Sequence, residues 1–521
     1  MYCIINAHGY INETQCISQI FFPNEKFIIV SEPQPEGVTL LSSLSCEKIT
    51  ARIYENGKFV LEEVLPFPQA LGENAKTRFL PQTSNDTAAK FLPQYSREAQ
   101  ALSETATPAF SKKAVCNAIQ KSVFYACMKY RPAKAPWGLL VGIRPTKIVH
   151  EMWESGFTTD EIKRYLTEFY LASDDKANLC VTVAEAEKRI LRQNTHNSVS
   201  LYIGVPFCVS RCLYCSFSSY ILKRYEKYID AYVAALVKEL TAASAYISGK
   251  SLQTIYIGGG TPTSLTASQL EVLLGAVNKC FDISSLSEYT VEAGRPDTLN
   301  DDKLNVLKAN GVSRVCVNPQ TLNNETLVKI GRSHSAADFY SAYNSAVKTG
   351  LNVNVDIILG LPGETEREVK YTLDELTKLS PDNLTVHTLA VKRASALKEQ
   401  LENAELTDAA CVNEMLSLSD AAAREMNLFP YYMYRQKNML GNYENVGYCK
   451  KGKEGIYNIQ IIEEKQTIVA VGAGAATKHY DSGRNLIRRV YNVKTPEEYI
   501  NRIDEMIERK NKLYEFDSEH S

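Results

Sequence analysis

Three cysteines within eight residues are the part of this sequence best suited to chemistry. Cys208, Cys212 and Cys215 have the spacing C-x3-C-x2-C on one predicted loop. Zinc held by three thiolates needs a fourth ligand, yet position 217 is Phe217 and no histidine occurs between Cys215 and His334. An iron–sulfur cube held by three cysteines keeps one iron open for another ligand. The spacing therefore favours a cluster, with zinc as the alternative.

Glycines and polar residues occur at or near the ends of later segments, whose alternation of apolar and polar residues predicts strands. The run Gly258–Pro262 reads GGGTP, which differs in spacing from the dinucleotide fingerprint. Three consecutive glycines permit close backbone approach to a ligand. Glu292 closes one predicted strand and Asp356 lies within another, where a carboxylate buried without a partner is costly. Further polar side chains near these strand ends are those of Asn318, Gln320 and Arg332.

A regular alternation of predicted strands and helices must position these residues. The predicted strands are Leu201–Val205, Thr254–Ile257, Tyr289–Glu292, Arg314–Val317, Val353–Ile358 and Asn383–Leu389. The predicted helices are Lys227–Ala245, Ser268–Cys280, Asp301–Asn310, Ala337–Lys348, Glu366–Leu379 and Ala409–Met426. Successive strand–helix units predict a parallel sheet with right-handed crossovers, covered by helices. Six units are too few for a closed eight-stranded barrel, so we expect an open partial barrel with a pocket at the C-terminal strand ends.

Composition excludes several classes of protein. The 521 residues are 45% hydrophobic and 23% charged, as in ordinary soluble domains. Because 58 Lys and Arg nearly balance 60 Asp and Glu, we expect no nucleic-acid partner and no stable membrane insertion. No apolar run reaches the ~18 residues of a membrane span, and the first residues lack the basic region of a signal peptide. The remaining ten of the 13 cysteines lie singly along the chain, and we expect them to be small buried side chains rather than disulfide partners. This pattern, with the missing signal peptide, predicts a cytoplasmic protein.

The chain is predicted to have five parts. In the first part, Glu55–Lys58 has the sequence of a tight hairpin. Helices are predicted in the third part at Lys112–Lys129, Pro145–Glu154, Thr159–Tyr170 and Asp174–Gln193. A helix-turn-helix DNA reader is disfavoured there because no basic face accompanies the helices. The parts are a small α+β module (1–70), a linker or mobile loop (71–108), a helical region (109–197), the partial barrel (198–395) and a C-terminal substrate-side or accessory region (396–521).

These motifs resemble the radical S-adenosylmethionine (SAM) enzymes, and more narrowly the oxygen-independent coproporphyrinogen III dehydrogenases, over about 198–478. The matching residues are the cysteine loop, the GGGTP run, Glu292, Gln320, Arg332, Asp356 and the Gly-Leu-Pro-Gly run at 360–363. Pro136–Pro145 is similar to the HemZ-type branch of that group. The resemblance implies an α/β fold: a partial (β/α)6 radical SAM barrel with an N-terminal α+β domain and a C-terminal extension.

The resemblance also implies a role for each residue of the site. The three cysteines would hold a [4Fe–4S] cluster whose open iron binds the amino and carboxylate groups of SAM, and Tyr202 would lie beside both. Glu292 and Arg332 would pair with polar groups of SAM, and Gln320 and Asp356 with the ribose hydroxyls. The implied catalytic residues are Tyr202, Cys208, Cys212 and Cys215. The implied SAM contacts are Tyr202, Phe207, Gly259, Gly260, Thr261, Glu292, Gln320, Arg332, Asp356 and Ile358, with the glycines and Thr261 at the methionine end and Ile358 on the adenine.

The implied reaction starts from a 5′-deoxyadenosyl radical, made when the reduced cluster passes an electron to SAM. In the family this radical removes a hydrogen from a substrate propionate, and loss of carbon dioxide and an electron leaves a vinyl group. Two such steps convert coproporphyrinogen III to protoporphyrinogen IX. Partners would be the tetrapyrrole and an electron donor such as a flavodoxin or ferredoxin. Candidates for holding substrate carboxylates are Lys392, Arg393, Arg435 and Lys437, with solvated surface charges as the alternative.

The sequence departs from the dehydrogenases at defined positions. Phe217 stands where they have a further cysteine, and Gly204 where they have a histidine. A related branch of haem-binding chaperones shares the phenylalanine, but its His-Asn-x-x-Tyr-Trp signature is absent, since no tryptophan follows Trp153. A haem-binding chaperone that keeps the cluster, and radical SAM chemistry on another tetrapyrrole, are therefore retained as alternatives.

Overall fold

The computed structural model describes residues 1–6, 10–23, 25–45, 47–66, 112–142, 144–217, 219–390, 407, 409–435 and 439–518. The chain forms two units. The first consists of Met1–Val181 with Arg435–Lys437 and Gly441–Tyr443, and the second of the rest of the chain from Thr182 onward. The second unit contains residues on both sides of position 395, where the sequence predicts a boundary. The predicted linker, 71–108, lies outside the described residues.

A five-stranded sheet forms part of the first unit. Its strands are β1 (Tyr2–Ile5), β2 (Ile28–Ile29), β3 (Val38–Leu44), β4 (Lys48–Glu55) and β5 (Lys58–Pro66), in the spatial order β2-β1-β3-β4-β5. β1 runs parallel to both neighbours, and β3, β4 and β5 are antiparallel. The predicted hairpin is confirmed. Asn56 and Gly57 have φ of 50° and 76°, the left-handed pair that a two-residue loop between twisted strands requires.

Helices complete the first unit. They are α1 (Ile11–Phe21), α2 (Lys112–Tyr130), α3 (Pro145–Glu154), α4 (Thr159–Arg164) with a π-helical turn at Tyr165–Phe169, and α5 (Asp174–Leu191), which continues into the second unit. Pro145 starts α3 at a position where a missing N–H costs nothing. Thr158 and Glu161 cap α4 reciprocally. The four predicted helices are confirmed, whereas α1 and β3 fall in segments where the pattern predicts no element.

Six parallel strands form the centre of the second unit, as predicted. They are β6 (Ser198–Val205), then, after the short β7 (Phe207–Cys208) and β8 (Tyr220–Ile221), β9 (Ser251–Gly259), β10 (Glu288–Glu292), β11 (Arg314–Cys316), β12 (Asn352–Leu359) and β13 (Asn383–Thr388). Leaving aside the short β7 and β8, each strand pairs in parallel with the next: β6 with β9, β9 with β10, β10 with β11, β11 with β12 and β12 with β13. All C-terminal strand ends therefore lie on one rim, which carries the cysteine loop.

Eight described helices follow these strands, and the sequence predicts all of them except two short ones, Leu222–Tyr225 and Asn324–Lys329. They are α6 (Leu222–Tyr225), α7 (Ile229–Ile247), α8 (Ala267–Cys280), α9 (Asp301–Ala309), α10 (Asn324–Lys329), α11 (Ala336–Lys348), α12 (Glu366–Leu379) and α13 (Ala409–Glu425). Side chains of Thr266, Asn300, Ser335 and Thr365 accept hydrogen bonds from the first turns of α8, α9, α11 and α12. These N-caps fix where each crossover helix begins.

The C-terminal residues extend the same sheet at both sides. The added elements are β14 (Phe429–Tyr434), β15 (Asn445–Cys449), α14 (Ile456–Glu463), β16 (Thr467–Val471), β17 (Ala476–Asp481), β18 (Leu486–Tyr491), α15 (Pro496–Asn501) and α16 (Ile503–Ser518). β16 is a seventh parallel strand beside β6, which the sequence analysis does not predict. The sheet runs from β14 to β18 and is open, consistent with a partial barrel. Among the described helices, none has the length and apolar character to cross a membrane.

Candidate functional site

The loop that carries the three cysteines is fixed against the barrel. The backbone N–H of Leu213 donates to the carbonyl of Ile330 at 3.0 Å, and that of Cys215 donates to the carbonyl of Cys212 at 3.1 Å. Leu213 and Tyr214 pack on a buried apolar cluster made of Leu327, Ile330, Ile358, Leu361 and Leu389. Apolar burial of the loop's centre therefore holds its cysteines in place.

The cysteine thiols lie in a largely buried setting. The Sγ of Cys208 is 3.5 Å from Oγ1 of Thr261, in the GGGTP run. Burial raises the pKa of the Cys208 and Cys215 thiols, and the other cysteines of the loop, Cys212 among them, add to the rise. Thiolates are the form that binds iron, so a positively charged metal centre would favour ionisation of these groups.

Two glycines let the end of β9 lie directly on the chain that enters the cysteine loop. A Cβ at Gly260 would lie 2.6 Å from the carbonyl oxygen of Phe207, and one at Gly259, whose φ is +113°, would lie 3.2 Å from that of Val205. The N–H groups of Gly260 and Thr261 donate to the carbonyls of Val205 and Phe207 at 2.8 and 2.7 Å. The glycine run predicts close approach to a ligand, and the structure shows that the glycines also permit close approach to the cysteine loop.

Glu292, at the end of β10, is directed back towards β9. Its Oε1 accepts a hydrogen bond from the phenol of Tyr256 at 2.6 Å. A Cβ at Gly258 would lie 3.1 Å from Oε2, so glycine there makes room for the carboxylate. The ring of Tyr256 stacks on Tyr457 with centroids 4.4 Å apart and lies 6.3 Å from the ring of Tyr202. Burial raises the pKa of Glu292 to about 7, against the lowering effect of the Tyr256 hydrogen bond.

Three side-chain oxygens near the ends of β11 and β12 are buried and accept no hydrogen bond from the described part of the chain. They are Oδ1 of Asn318, Oε1 of Gln320 and Oδ1 of Asp356. A buried acceptor without a partner costs about 1–3 kcal/mol. Asn318 donates from Nδ2 to the other oxygen of Asp356 at 2.9 Å, which fixes the carboxylate. These acceptors suit a ligand that brings hydroxyl groups.

The backbone at Gln320 is also unusual. Its φ is +69°, in the left-handed region that non-glycine residues rarely adopt. Its N–H donates to the carbonyl of Asp356 at 3.1 Å, and its carbonyl accepts from the N–H of Ile358 at 2.9 Å. Two strand-like hydrogen bonds therefore hold the strained residue in place, a pattern common at ligand sites.

His387 on β13 is a residue of this rim that the sequence analysis misses. Its Nε2 lies 3.6 Å from Oδ2 of Asp356, and its Nδ1 lies 3.0 Å from the phenol oxygen of Tyr434 on β14. The alternating pattern of 383–389 predicts the strand, but it does not show that the histidine faces the carboxylate on β12. A polar residue next to the end of a predicted barrel strand is the signal that indicates it.

Arg332 joins the ends of two strands. Its Nη1 donates to the carbonyl of Asn318 at 2.5 Å and its Nη2 donates to that of Gly294 at 3.0 Å. The side chain is buried, so these hydrogen bonds offset part of the cost of removing the guanidinium from water, while its Nε has no hydrogen-bond partner among the described residues. A contact between Arg332 and SAM stays a prediction.

The structure corrects the expectation for Arg435 and leaves three others untested. Arg435 is buried in the first unit, where its Nη1 and Nη2 donate to the carbonyls of Leu140 at 2.5 Å and Asn442 at 2.6 Å. The guanidinium carbon lies 4.7 Å from the ring centroid of Trp137. A guanidinium bonded to main-chain carbonyls has a structural role, so we no longer count it as a carboxylate holder. Lys392, Arg393 and Lys437 lie outside the described residues.

Two phenylalanines near the cysteines have contrasting environments. The ring of Phe207 is buried and meets Tyr232 edge-on at 5.1 Å and Tyr225 at 6.3 Å between centroids. Its carbonyl, which accepts from Thr261, is the part that touches the GGGTP run. Phe217 is 68% exposed. A contact of Phe207 with SAM stays a prediction.

The residues present fit a [4Fe–4S] cluster and SAM. Three cysteines on one loop, with Cys212 buried, suit a cluster with an open iron. The unsatisfied oxygens of Gln320 and Asp356 suit ribose hydroxyls, and Ile358 packs in the apolar cluster beneath the same rim. The backbone of Gly259 contacts the carboxylate of Glu292, and their strands β9 and β10 lie between β6, which precedes the cysteine loop, and β11 and β12.

Comparisons with known proteins give the family. The model of the radical SAM superfamily matches residues 202–376. The oxygen-independent coproporphyrinogen-III oxidase-like protein HemZ of Bacillus subtilis is 36% identical over 419 residues, covering 78% of this chain and 84% of that protein. The heme chaperone HemW of Bacillus subtilis is 31% identical over 309 residues, covering 59% and 76%.

A solved structure agrees with the fold. Coproporphyrinogen III oxidase (HemN) from Escherichia coli, a radical SAM enzyme, matches with a TM-score of 0.50 and 22% identity, covering 62% of this chain and 73% of that one. Radical SAM proteins use a [4Fe–4S] cluster and SAM, the two groups that the site fits. The chain therefore belongs to the radical SAM superfamily, in the family of the coproporphyrinogen-III oxidase-like protein HemZ.

Proposed function

We propose that this chain is an oxygen-independent coproporphyrinogen III dehydrogenase of haem biosynthesis, which decarboxylates two propionates of coproporphyrinogen III to vinyl groups and releases protoporphyrinogen IX. The observation that supports it most directly is the rim itself: the unsatisfied oxygens of Asn318, Gln320 and Asp356 lie on the barrel that holds the cysteine loop. Its similarity to HemZ and HemN supports the choice of substrate.

Each part of the rim has a proposed task. When bound, the cluster and SAM supply a 5′-deoxyadenosyl radical. Glu292 accepts hydrogen bonds from the amino group of SAM, while Gln320 and Asp356 accept them from the ribose. Tyr202 and the buried strands exclude water from the reacting atoms. The cluster ligands are Cys208, Cys212 and Cys215, and the other proposed SAM contacts are Phe207, Gly259, Gly260, Thr261, Arg332 and Ile358.

The substrate carboxylates need cationic partners. Arg332, a buried cation of the rim, already donates to main-chain carbonyls, so other cations are needed. We propose that Lys392 and Arg393, which follow β13 closely in the chain, bind carboxylates of the tetrapyrrole, and we retain Lys437 as a further candidate. Arginine and lysine suit this task because charge-assisted hydrogen bonds to carboxylates are strong. A flavodoxin or ferredoxin is the proposed electron donor.

A second candidate function is haem binding or delivery by a protein that keeps the cluster. Relatives named heme chaperone HemW support it, at 31% identity over 309 residues for that of Bacillus subtilis. Phe217, which replaces a cysteine of the dehydrogenases, is also shared with that branch. Radical chemistry on another tetrapyrrole is the third candidate.

An anaerobic assay tests the proposed reaction. Reconstituted protein, SAM, a low-potential reductant and coproporphyrinogen III are incubated, and products are separated by mass spectrometry. We expect 5′-deoxyadenosine together with a substrate mass lowered by two formic acid equivalents. Cys212→Ala, which removes one proposed cluster ligand, is the matched control and should form neither product. Deoxyadenosine with unchanged substrate would contradict the dehydrogenase and keep the radical SAM class.

Haem titration separates the second candidate from the first. Stoichiometric haem binding by the reconstituted protein, with no turnover of coproporphyrinogen III, would favour the chaperone. Substrate turnover without a stable haem complex would favour the dehydrogenase. Deoxyadenosine formed only with a different tetrapyrrole would favour the third candidate.

A further inference from the structure

Arg295 is a buried cation beside the cysteine loop to which the family resemblance gives no role. It follows β10, in the turn that leads into the short 3-10 helix Pro296–Thr298, and it is 2% exposed. Its Nη1 donates to the Oγ of Ser210 at 2.8 Å and to the Sγ of Cys212 at 3.9 Å. The positive charge therefore lies against the sulfur of a proposed cluster ligand.

The position of this guanidinium is fixed from the other side. Asp297 accepts from Nε through Oδ1 and from Nη2 through Oδ2, both at 3.1 Å, which is the two-point geometry that carboxylates form with arginine. The carbonyl of Arg295 accepts from the N–H and the hydroxyl of Thr298 at 3.0 and 2.7 Å. Hydrogen bonds therefore hold both the backbone of Arg295 and the Nε–Nη2 edge of its guanidinium, and Nη1 is the nitrogen that faces Cys212.

The contact with Ser210 extends this arrangement into the loop. The hydroxyl that accepts from Arg295 also donates to the carbonyl of Gly331 at 3.1 Å. Arg295 thus links the turn after β10 to the cysteine loop. Through Ser210, the same loop is linked to Gly331, which follows α10. Burial keeps water from screening the charge, so its effect on a nearby sulfur exceeds that of an exposed arginine.

We propose that Arg295 sets the reduction potential of the cluster by placing its charge and an N–H···S hydrogen bond on Cys212. This inference rests on the proposed assignment of the cluster to Cys208, Cys212 and Cys215. Reduction adds one negative charge to the cluster, and a cation and a hydrogen bond at a ligand sulfur stabilise that charge. Arg295 therefore raises the potential and eases reduction by the electron donor. Asp297 opposes this effect, because its negative charge partly cancels that of the guanidinium.

The two residues give variants with opposite expected signs. Arg295→Gln removes the cation and should lower the midpoint potential, with on the order of tenfold less reduced cluster at a given applied potential, which is about 59 mV for one electron. Asp297→Asn removes the opposing charge and should raise the midpoint. Arg295→Lys keeps the charge and should stay nearer to the wild type than Arg295→Gln.

Potentiometric titration followed by electron paramagnetic resonance of the reduced cluster tests the proposal without substrate. Arg367→Gln is the matched control, because it makes the same change of net charge at an exposed position at the start of α12, and its midpoint should equal the wild type. A purely structural role for Arg295 would lower cluster content without ordered shifts of the midpoint. The proposal would be overturned if Arg295→Gln had the same midpoint potential as the wild type. It would also be overturned if the midpoints of Arg295→Gln and Asp297→Asn both moved in the same direction.

Two further outcomes are separable. If Arg295→Gln takes up no cluster, the midpoints of Asp297→Asn and Arg295→Lys test the proposal instead. A raised midpoint in Asp297→Asn with a near wild-type midpoint in Arg295→Lys supports it. An unchanged midpoint in Asp297→Asn overturns it. A wild-type protein that holds no cluster after reconstitution overturns the proposed function and this inference together. A wild-type cluster with unmoved variants overturns only the inference.

Discussion

The phenol of Tyr256 donates a 2.6 Å hydrogen bond to the carboxylate of Glu292 between neighbouring parallel strands of the barrel. Both side chains are partly buried in the proposed SAM site, and Tyr457 of α14 stacks on the ring of Tyr256. Desolvation of the carboxylate raises the pKa of Glu292 to about 7, and the hydrogen bond limits that rise. The charge of the site therefore depends on a contact between β9 and β10.

We predict that SAM affinity rises with pH through about 7, because the ionised Glu292 accepts hydrogen bonds that the protonated form cannot. Tyr256→Phe removes the bond that lowers this pKa, so the midpoint of the pH profile should move to higher pH. Titration of SAM binding to the reconstituted protein at several pH values measures both. Tyr371→Phe, at a half-exposed tyrosine of α12, is the control and should keep the wild-type profile. A profile flat between pH 6 and 8 would show that Glu292 does not control binding.

Gly260→Ala should disturb the cysteine loop, because its Cβ would lie 2.6 Å from the carbonyl oxygen of Phe207. Overpacking of this kind costs about 1–3 kcal/mol, and here it presses on the chain that enters the loop. We expect less iron per chain and a lower melting temperature. Gly275→Ala, in the middle of α8, is the matched control, since no atom beyond its chain neighbours and the nearby backbone of its own helix lies within 4 Å of the added Cβ. That variant should gain about 0.5–1 kcal/mol from helix propensity and keep its iron.

Each of Cys208→Ala, Cys212→Ala and Cys215→Ala should lose the cluster, because each removes one of three proposed iron ligands. Iron and sulfide analysis with the visible absorption spectrum measures this after anaerobic reconstitution. Cys280→Ala, at the end of α8, should keep the wild-type cluster content. Retention of a full cluster by any of the three loop variants, or zinc in place of iron in the wild type, would contradict the assignment.

A buried ion pair between α7 and α16 should be important for stability. Lys510 on α16 pairs with Glu239 on α7 and donates to Oδ1 of Asn492 at 2.9 Å, and Oε2 of Glu239 accepts from the N–H of Gly472 at 2.8 Å. Lys510→Met leaves a buried carboxylate without its cation, so the free energy of unfolding should fall by about 3–5 kcal/mol. Urea unfolding followed by circular dichroism measures it.

Lys512→Met is the control for that experiment. Lys512 pairs with Glu508 in the exposed part of the same helix, where an ion pair contributes less than about 1 kcal/mol. Equal losses in the two lysine variants would mean that burial of the Lys510 pair has no special effect on stability.

Local patterns in the sequence predict the metal chemistry of the cysteine loop and the order of the barrel strands. The spacing of Cys208, Cys212 and Cys215 is a local property of one segment. Strand alternation and helix periodicity are also local, since they repeat every two and every 3.6 residues, and they predict six strand–helix units that the structure confirms. The carboxyl ends of parallel strands share an edge, so Glu292 and Asp356 could be placed on one rim before their contacts were known.

The role of each charged side chain depends on contacts between segments that are distant in the chain. Arg435 meets a carbonyl 295 positions away in the chain, and His387 meets Asp356 on a neighbouring strand. The charge of Glu292 depends on burial by the elements around it, and the contact of Arg295 with Cys212 joins two separate loops. β16 is five residues long and buried, too short for its pattern to show that it joins β6. Such contacts depend on distance in space, which periodicity and spacing along the chain do not encode.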